Sequence, residues 1–179
     1  MDFILDPPRM VGPVEIGMPF AEAESMLRLL EGYQQPMAGV HVNAGYADFE
    51  SGLSISVGRG RDGNVEAVEV YRPTRDITVI CRGIAVFEVP ADEVVRRLSE
   101  LTPVQVEDEG LRVLAPDLVL SLWRSVLPEG PDDEDGRYFE AALVAGPGYY
   151  GLPVELGSAD DLAEKRTDGP RNEGQSSLF

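Results

Sequence analysis

The chain has 179 residues, with 32 Asp and Glu against 15 Lys and Arg, a formal net charge of −17, and a single His and a single Cys. That balance repels the phosphates of nucleic acids and anionic membrane surfaces. One Cys excludes an internal disulfide, and one Cys with one His cannot build a zinc cage. The 43% hydrophobic content is that of a globular protein, and the length fits one domain or two small units sharing a core.

The first residues, Met1-Asp2-Phe3-Ile4-Leu5-Asp6-Pro7-Pro8, lack a basic leader followed by a long apolar stretch. No apolar run approaches the roughly 20 residues that span a bilayer. The expectation is a soluble, cytoplasmic protein. Asp2–Leu5 opens the chain as an apolar strand after an acid, and Val14-Glu15-Ile16 follows as a second. Pro19 then opens a helix, since proline in the first turn forfeits an N–H that has no partner there. Ala23, Met26, Leu27 and Leu30 recur at helical spacing, and Gly32 is placed to end the run. The helix is predicted over about residues 20–30. Tyr46–Phe49, Leu53–Arg59 and Val65–Val70 alternate at period two, as half-buried strands do.

The second half repeats this order. Asp76-Ile77-Thr78-Val79 echoes Asp2–Leu5, and Ile84-Ala85-Val86 echoes Val14–Ile16. Pro90 opens a second helix over about residues 91–101, with Val94, Val95, Leu98 and Leu101 on one face and Arg96 and Arg97 pointing outward. Strands are predicted at Leu111–Leu114, Leu118–Arg124 and Phe139–Val144, the Leu118–Arg124 segment matching Leu53–Arg59 position by position. The reading is an α+β fold of two tandem β-β-α-β-β-β units, residues 1–75 and 76–147, forming antiparallel sheet with the helices packed on one face. Residues 148–167 form an extension with a short helix starting near Ser158, and residues 168–179 an apolar-poor tail expected to be disordered.

This element order over residues 2–147 resembles the repeat fold of the beta-lactamase inhibitor proteins and the BamE-like lipoproteins, although the chain has neither a lipobox nor a Cys pair. In size and acidity it also resembles the immunity proteins that neutralise bacterial toxins. The likeness to inhibitor and immunity proteins implies a non-catalytic protein that blocks a partner.

Gly58-Arg59-Gly60-Arg61-Asp62-Gly63 matches the G-x-G-x-x-G spacing of dinucleotide sites. The segment that follows alternates as a strand, so no helix N-terminus is present to hold a pyrophosphate, and the reading is a glycine-rich hairpin. Asp132-Asp133-Glu134-Asp135-Gly136 lacks the first and last carboxylates of a calcium-binding EF-hand loop. It reads as a solvated acidic hairpin loop or, with Glu129, as a contact for a basic partner. His41 and Cys81 are the only His and Cys available for a nucleophile–base pair, and Cys81 ends an apolar run as a buried thiol would. Trp123, beside Arg124, is the sole Trp. Both residue types are frequent binding anchors, and Trp123 falls on the face opposite Leu120 and Leu122, where Tyr46 or Arg112 would join it. The last five residues, Gln175-Ser176-Ser177-Leu178-Phe179, resemble the pentapeptide by which bacterial proteins dock on the sliding clamp. The resemblance implies that Gln175 bonds at the rim of the clamp pocket while Leu178 and Phe179 enter it.

The expected function is therefore an acidic, immunity-type or inhibitor protein that captures a basic partner, a toxin among the candidates, through Trp123, Arg124, Glu129, Asp132, Asp133, Glu134 and Asp135. No metal, cofactor or catalytic residue is assigned. The alternatives are a replication or repair factor docked on the clamp, and a small-molecule enzyme using carboxylates between the units. Residues 1–75 hold 11 acids and 6 bases, and residues 76–147 hold 15 and 6, so part of the acidity is local to the 129–135 loop.

Overall fold

The computed structural model describes residues 1–39, 42–130 and 133–150. It is a mixed α+β structure of two sheets and, among the described residues, two α-helices. The first half runs β1 (Asp2–Asp6), β2 (Met10–Val11), β3 (Val14–Glu15), α1 (Phe20–Arg28), β4 (Tyr33–Gln34), β5 (Tyr46–Phe49), β6 (Ser54–Arg59) and β7 (Val65–Tyr71). The second runs β8 (Thr78–Cys81), β9 (Ile84–Ala85), α2 (Ala91–Ser99), β10 (Gln105–Glu107), β11 (Arg112–Ala115), β12 (Leu120–Trp123) and β13 (Ala141–Ala145).

The larger sheet has eight strands in the order β10-β11-β12-β13-β7-β6-β5-β4, every adjacent pair antiparallel. The smaller has the order β3-β2-β1-β8-β9. The two echoing segments at the head of each half become neighbours there. β1 runs parallel to β8, with Phe3 opposite Val79 and Leu5 opposite Cys81, so the small sheet is mixed rather than antiparallel as expected from the sequence.

Pro19 and Pro90 sit at the N-cap of their helices, so each helix begins one residue later. α1 buries Phe20, Ala23 and Leu27, and α2 buries Ala91, Val94 and Leu98, with acids in each first turn and arginine in each last turn to suit the helix dipole. Both helices stop earlier than the apolar spacing predicts. Leu29 and Leu30 donate to carbonyls three residues back, which tightens the last turn, and Leu101 ends 60% exposed rather than in the core. One continuous cluster joins the helices, both sheets and Phe87 and Phe139. Fully burying a side chain such as Leu98 or Leu122 contributes about 1.5–3 kcal/mol.

Two further expectations are corrected. Each helix is followed by four strands rather than three, because β4 and β10 are added at the two edges of the large sheet. The strand predicted from Leu118 starts at Leu120. Pro116 opens a 3₁₀ turn through Leu118, and Val119 takes a positive φ of 47°, which breaks the extended run. The predicted helix after Ser158 and the 168–179 tail lie outside the described residues.

Candidate functional site

One face of the eight-stranded sheet packs on the helices. The other carries no helix among the described residues, and the strand register sets what stands on it. One row across it reads Tyr46, Ser56, Glu69, Leu143, Ser121, Leu114 and Gln105, from β5 to β10. The next reads Asp48, Ser54, Tyr71, Ala141, Trp123, Arg112 and Glu107. Trp123 is 43% exposed near the middle of this second row, and Ala141 beside it, flanked by Tyr71 on the far side, is only 1% exposed. The aromatic side chains thus shade the alanine and present their own surface outward. The chain leaving β13 turns through Gly146, Pro147 and Gly148, and Tyr149 and Tyr150 pack edge to face at 5.2 Å. Tyr150 lies against Ser121 on this face. Burial pushes its hydroxyl pKa up, and the nearby Ser121 hydroxyl draws it back.

Charges on the face are mostly acidic. The Tyr71 hydroxyl donates to the Glu69 carboxylate at 2.7 Å, which together with burial raises the Tyr71 pKa to about 12. Asp48 accepts from the Ser54 hydroxyl. The one arginine in the two rows, Arg112, is held by Glu107 at 2.9 Å and Asp108 at 3.6 Å.

Trp123 and Arg124, adjacent in sequence, do not act together. Strand parity sends Arg124 inward, where it is 5% exposed. Its guanidinium donates to the carbonyls of Gly110 at 2.9 Å and Gly136 at 2.8 Å, reaches Asp92 at 3.3 Å, and lies 5.8 Å from the centre of the Phe139 ring. Both glycines have positive φ, and a Cβ on Gly110 would come within 3.2 Å of that guanidinium. Arg124 is an internal latch joining the turn before β11, the start of α2 and the end of the acidic loop. Arg124 is therefore not part of the surface expected to contact a partner.

The acidic loop is partly self-engaged. The Asp133 carboxylate accepts the N–H groups of Glu129 at 2.8 Å and Asp135 at 3.0 Å, and these bonds lower its pKa. Glu134 pairs with Arg137 at 2.8 Å, while the side chains of Glu129 and Asp135 make no hydrogen bond or ion pair among the described residues. Asp132, His41, Gln175, Leu178 and Phe179 lie outside the described residues.

The glycine-rich segment is a hairpin between β6 and β7. Gly63 donates to the Gly60 carbonyl at 3.0 Å, Asp62 accepts from Asn64 N–H, and Arg59 lies 5.6 Å over the Phe20 ring. Cys81 is fully buried, and burial raises its thiol pKa to about 11. Among the described residues no three His, Cys, Asp or Glu side chains are grouped to hold a metal ion, and no helix is long and apolar enough to cross a membrane. A cleft of about 400 Å³ has Arg9, Met10, Glu15 and Ile16 in its wall, and one of about 390 Å³ lies along residues 72–79 with Phe87 and Glu88.

Glu69, Tyr71 and Tyr150 escaped the sequence reading. Glu69 was legible in the alternation of β7, but Tyr71 falls one residue past the predicted strand, and its row partners depend on which strand lies next to β7. No protein-family model, curated protein or solved structure matches the chain.

Proposed function

We propose that the chain is a non-catalytic binding protein that captures a basic partner on the open face of the large sheet, in the manner of an immunity or inhibitor protein. The observation that carries this reading is the row Tyr71, Ala141, Trp123 and Arg112, an aromatic strip at the middle of an eight-stranded sheet with acids on either side. An antiparallel sheet with one face on the core leaves its other face to solvent or to a partner. Exposed Trp and Tyr supply large, rigid contact area, which slows dissociation, and the surplus of acids speeds encounter with a basic surface. Glu129, Asp135 and the neighbouring loop extend that field.

The same reading includes duplication. The strand order of the large sheet is mirrored about the β13–β7 pair, and the β2-β3 and β8-β9 hairpins flank β1 in the small sheet. Two copies of one unit, related by an internal two-fold, account for both patterns when β2 is the counterpart of β8, which replaces the expected correspondence of Asp2–Leu5 with Asp76–Val79 and leaves β1 as an added central strand. Duplication then doubles the width of the open face.

The test is capture from the source organism with wild-type protein, Trp123→Ala and a Glu129→Gln/Glu134→Gln/Asp135→Asn variant. The expected outcome is a basic protein retained by the wild type, released by salt and lost with Trp123→Ala. An identical retained set for all three proteins refutes the reading. The terminal pentapeptide supports a second proposal, docking on the sliding clamp. Purified clamp should bind the chain at micromolar concentration, and Leu178→Ala/Phe179→Ala should abolish that binding without altering the fold. Failure of the wild type to bind removes it.

A further inference from the structure

We propose that Glu69 is the anchor of the open face, receiving an arginine side chain of the partner on a platform of Tyr46, Tyr71, Trp123 and Tyr150. The inference rests on the binding role proposed above and specifies its chemistry.

Glu69 stands on β7, which with β13 forms the central pair of the large sheet, so it lies near the midline of the face. Its cross-strand neighbours there, Ser56 and Leu143, are uncharged. Among the described residues no arginine, lysine or terminal amine pairs with its carboxylate, and its hydrogen bond comes from the Tyr71 hydroxyl at 2.7 Å. A carboxylate has about four acceptor positions. One such bond leaves enough for a guanidinium, which donates two parallel N–H groups to a carboxylate and lays its plane on aromatic rings.

The rings are in reach. Tyr71 is two residues along the same strand, and Tyr46 is two strands away in the same row, about 10 Å between Cα atoms. Trp123 is two strands from Tyr71 in the adjacent row, and Tyr150 sits over Ser121. Among the described residues, the other charges in these two rows are Asp48, Glu107 and Arg112, and Arg112 is already held by Glu107 and Asp108. An incoming cation therefore meets an acid with no cationic partner at the centre and a neutralised arginine at one side. The hydrogen bond from Tyr71 also holds the carboxylate in place, which lowers the ordering cost of binding.

Trp123 is the only tryptophan, so its fluorescence reports on this face alone. The probe is hexa-arginine, titrated at about 0.15 M salt, where exposed charges beyond roughly 8 Å are screened. Hexa-citrulline, of the same shape without charge, is the blank. Wild-type protein should show a saturable Trp123 change with hexa-arginine, a weaker one with hexa-lysine and none with hexa-citrulline. Glu69→Gln should weaken hexa-arginine binding about tenfold or more, as loss of a charge-assisted pair does. Glu134→Gln/Asp135→Asn, which removes two charges off this face, should change it less than about twofold. Equal weakening by the two variants, or no saturable change in the wild type, overturns the anchor. If Glu69→Gln is silent while Trp123→Ala still releases the captured partner, the anchor fails and the binding role stands. If neither substitution matters to capture, both fail. An unchanged urea midpoint for Glu69→Gln shows that its fold is intact.

Discussion

Replacing Arg124 by Met tests whether this residue is an internal latch. The guanidinium satisfies two backbone carbonyls, Gly110 and Gly136, at 2.9 and 2.8 Å, while being 5% exposed. Hydrogen bonds to a charged group contribute about 1.5–3 kcal/mol each, and two acceptors are left without a donor. Against that loss stands relief from burying a cation, which removes part of it. Methionine keeps most of the volume and the contact with Phe139. The net expectation is a loss of about 3 kcal/mol, or a fall in Tm of roughly 6–12 °C for a chain of this size. Urea unfolding followed by circular dichroism reads it, as a lower midpoint with an unchanged slope. Arg124→Lys should recover less than half, because a single ammonium lacks the guanidinium fork that serves both carbonyls. Asp92→Asn should cost under about 0.5 kcal/mol, since the Asp92 side chain is 88% exposed. A loss below about 1 kcal/mol for Arg124→Met, or an equal loss for Asp92→Asn, refutes the latch.

Two further predictions concern a glycine beside the latch and a buried thiol in the small sheet. Gly136 has a φ of +70°, and a Cβ there would meet the Val126 carbonyl oxygen, so Gly136→Ala should destabilise by more than about 2 kcal/mol. A midpoint within error of the wild type sinks that. The Cys81 thiol titrates near pH 11 in the fold against 9 in the open chain, so its contribution is complete below pH 9 and lost as pH rises through 11. The difference in unfolding free energy between wild type and Cys81→Ala, read by urea titration, should be flat to about pH 9 and shrink above it, by up to roughly 3 kcal/mol for two pKa units. At pH 8 the native thiol should ignore an aromatic disulfide reagent that labels it in urea, and rapid native labelling contradicts the burial.

Local elements were readable where one residue pattern decides the conformation. Proline followed by apolar residues at 3–4 spacing marked both helices, and alternation marked β5, β6, β7 and β11. β4 and β10 have two and three residues with little apolar content, so they carry no periodicity of their own and exist because a longer neighbour offers an edge. The inward direction of Arg124 was legible from parity, since Leu120 and Leu122 point the same way, but a charged residue beside an exposed Trp reads as surface unless an internal acceptor is known. Gly110 and Gly136 supply that acceptor only in three dimensions. The adjacency of β7 and β13, which brings Glu69, Tyr71 and Trp123 onto one face, joins residues 70 positions apart and leaves no local trace.

The placement of β13 has a consequence for biosynthesis. Among the described residues β13 is the last strand made, yet it lies at the centre of the large sheet, between β12 of its own half and β7 of the first. A nascent chain that ends before Ala141 exposes the edges of β7 and β12 at once, each with a buried-type row of Val or Leu. Neither half can seal itself while it waits, and open edges of this kind pair with whatever strand is at hand. Completion of the large sheet therefore waits for residues 141–145, and chains truncated before Ala141 are expected to aggregate where the full chain does not, as light scattering of the two would read.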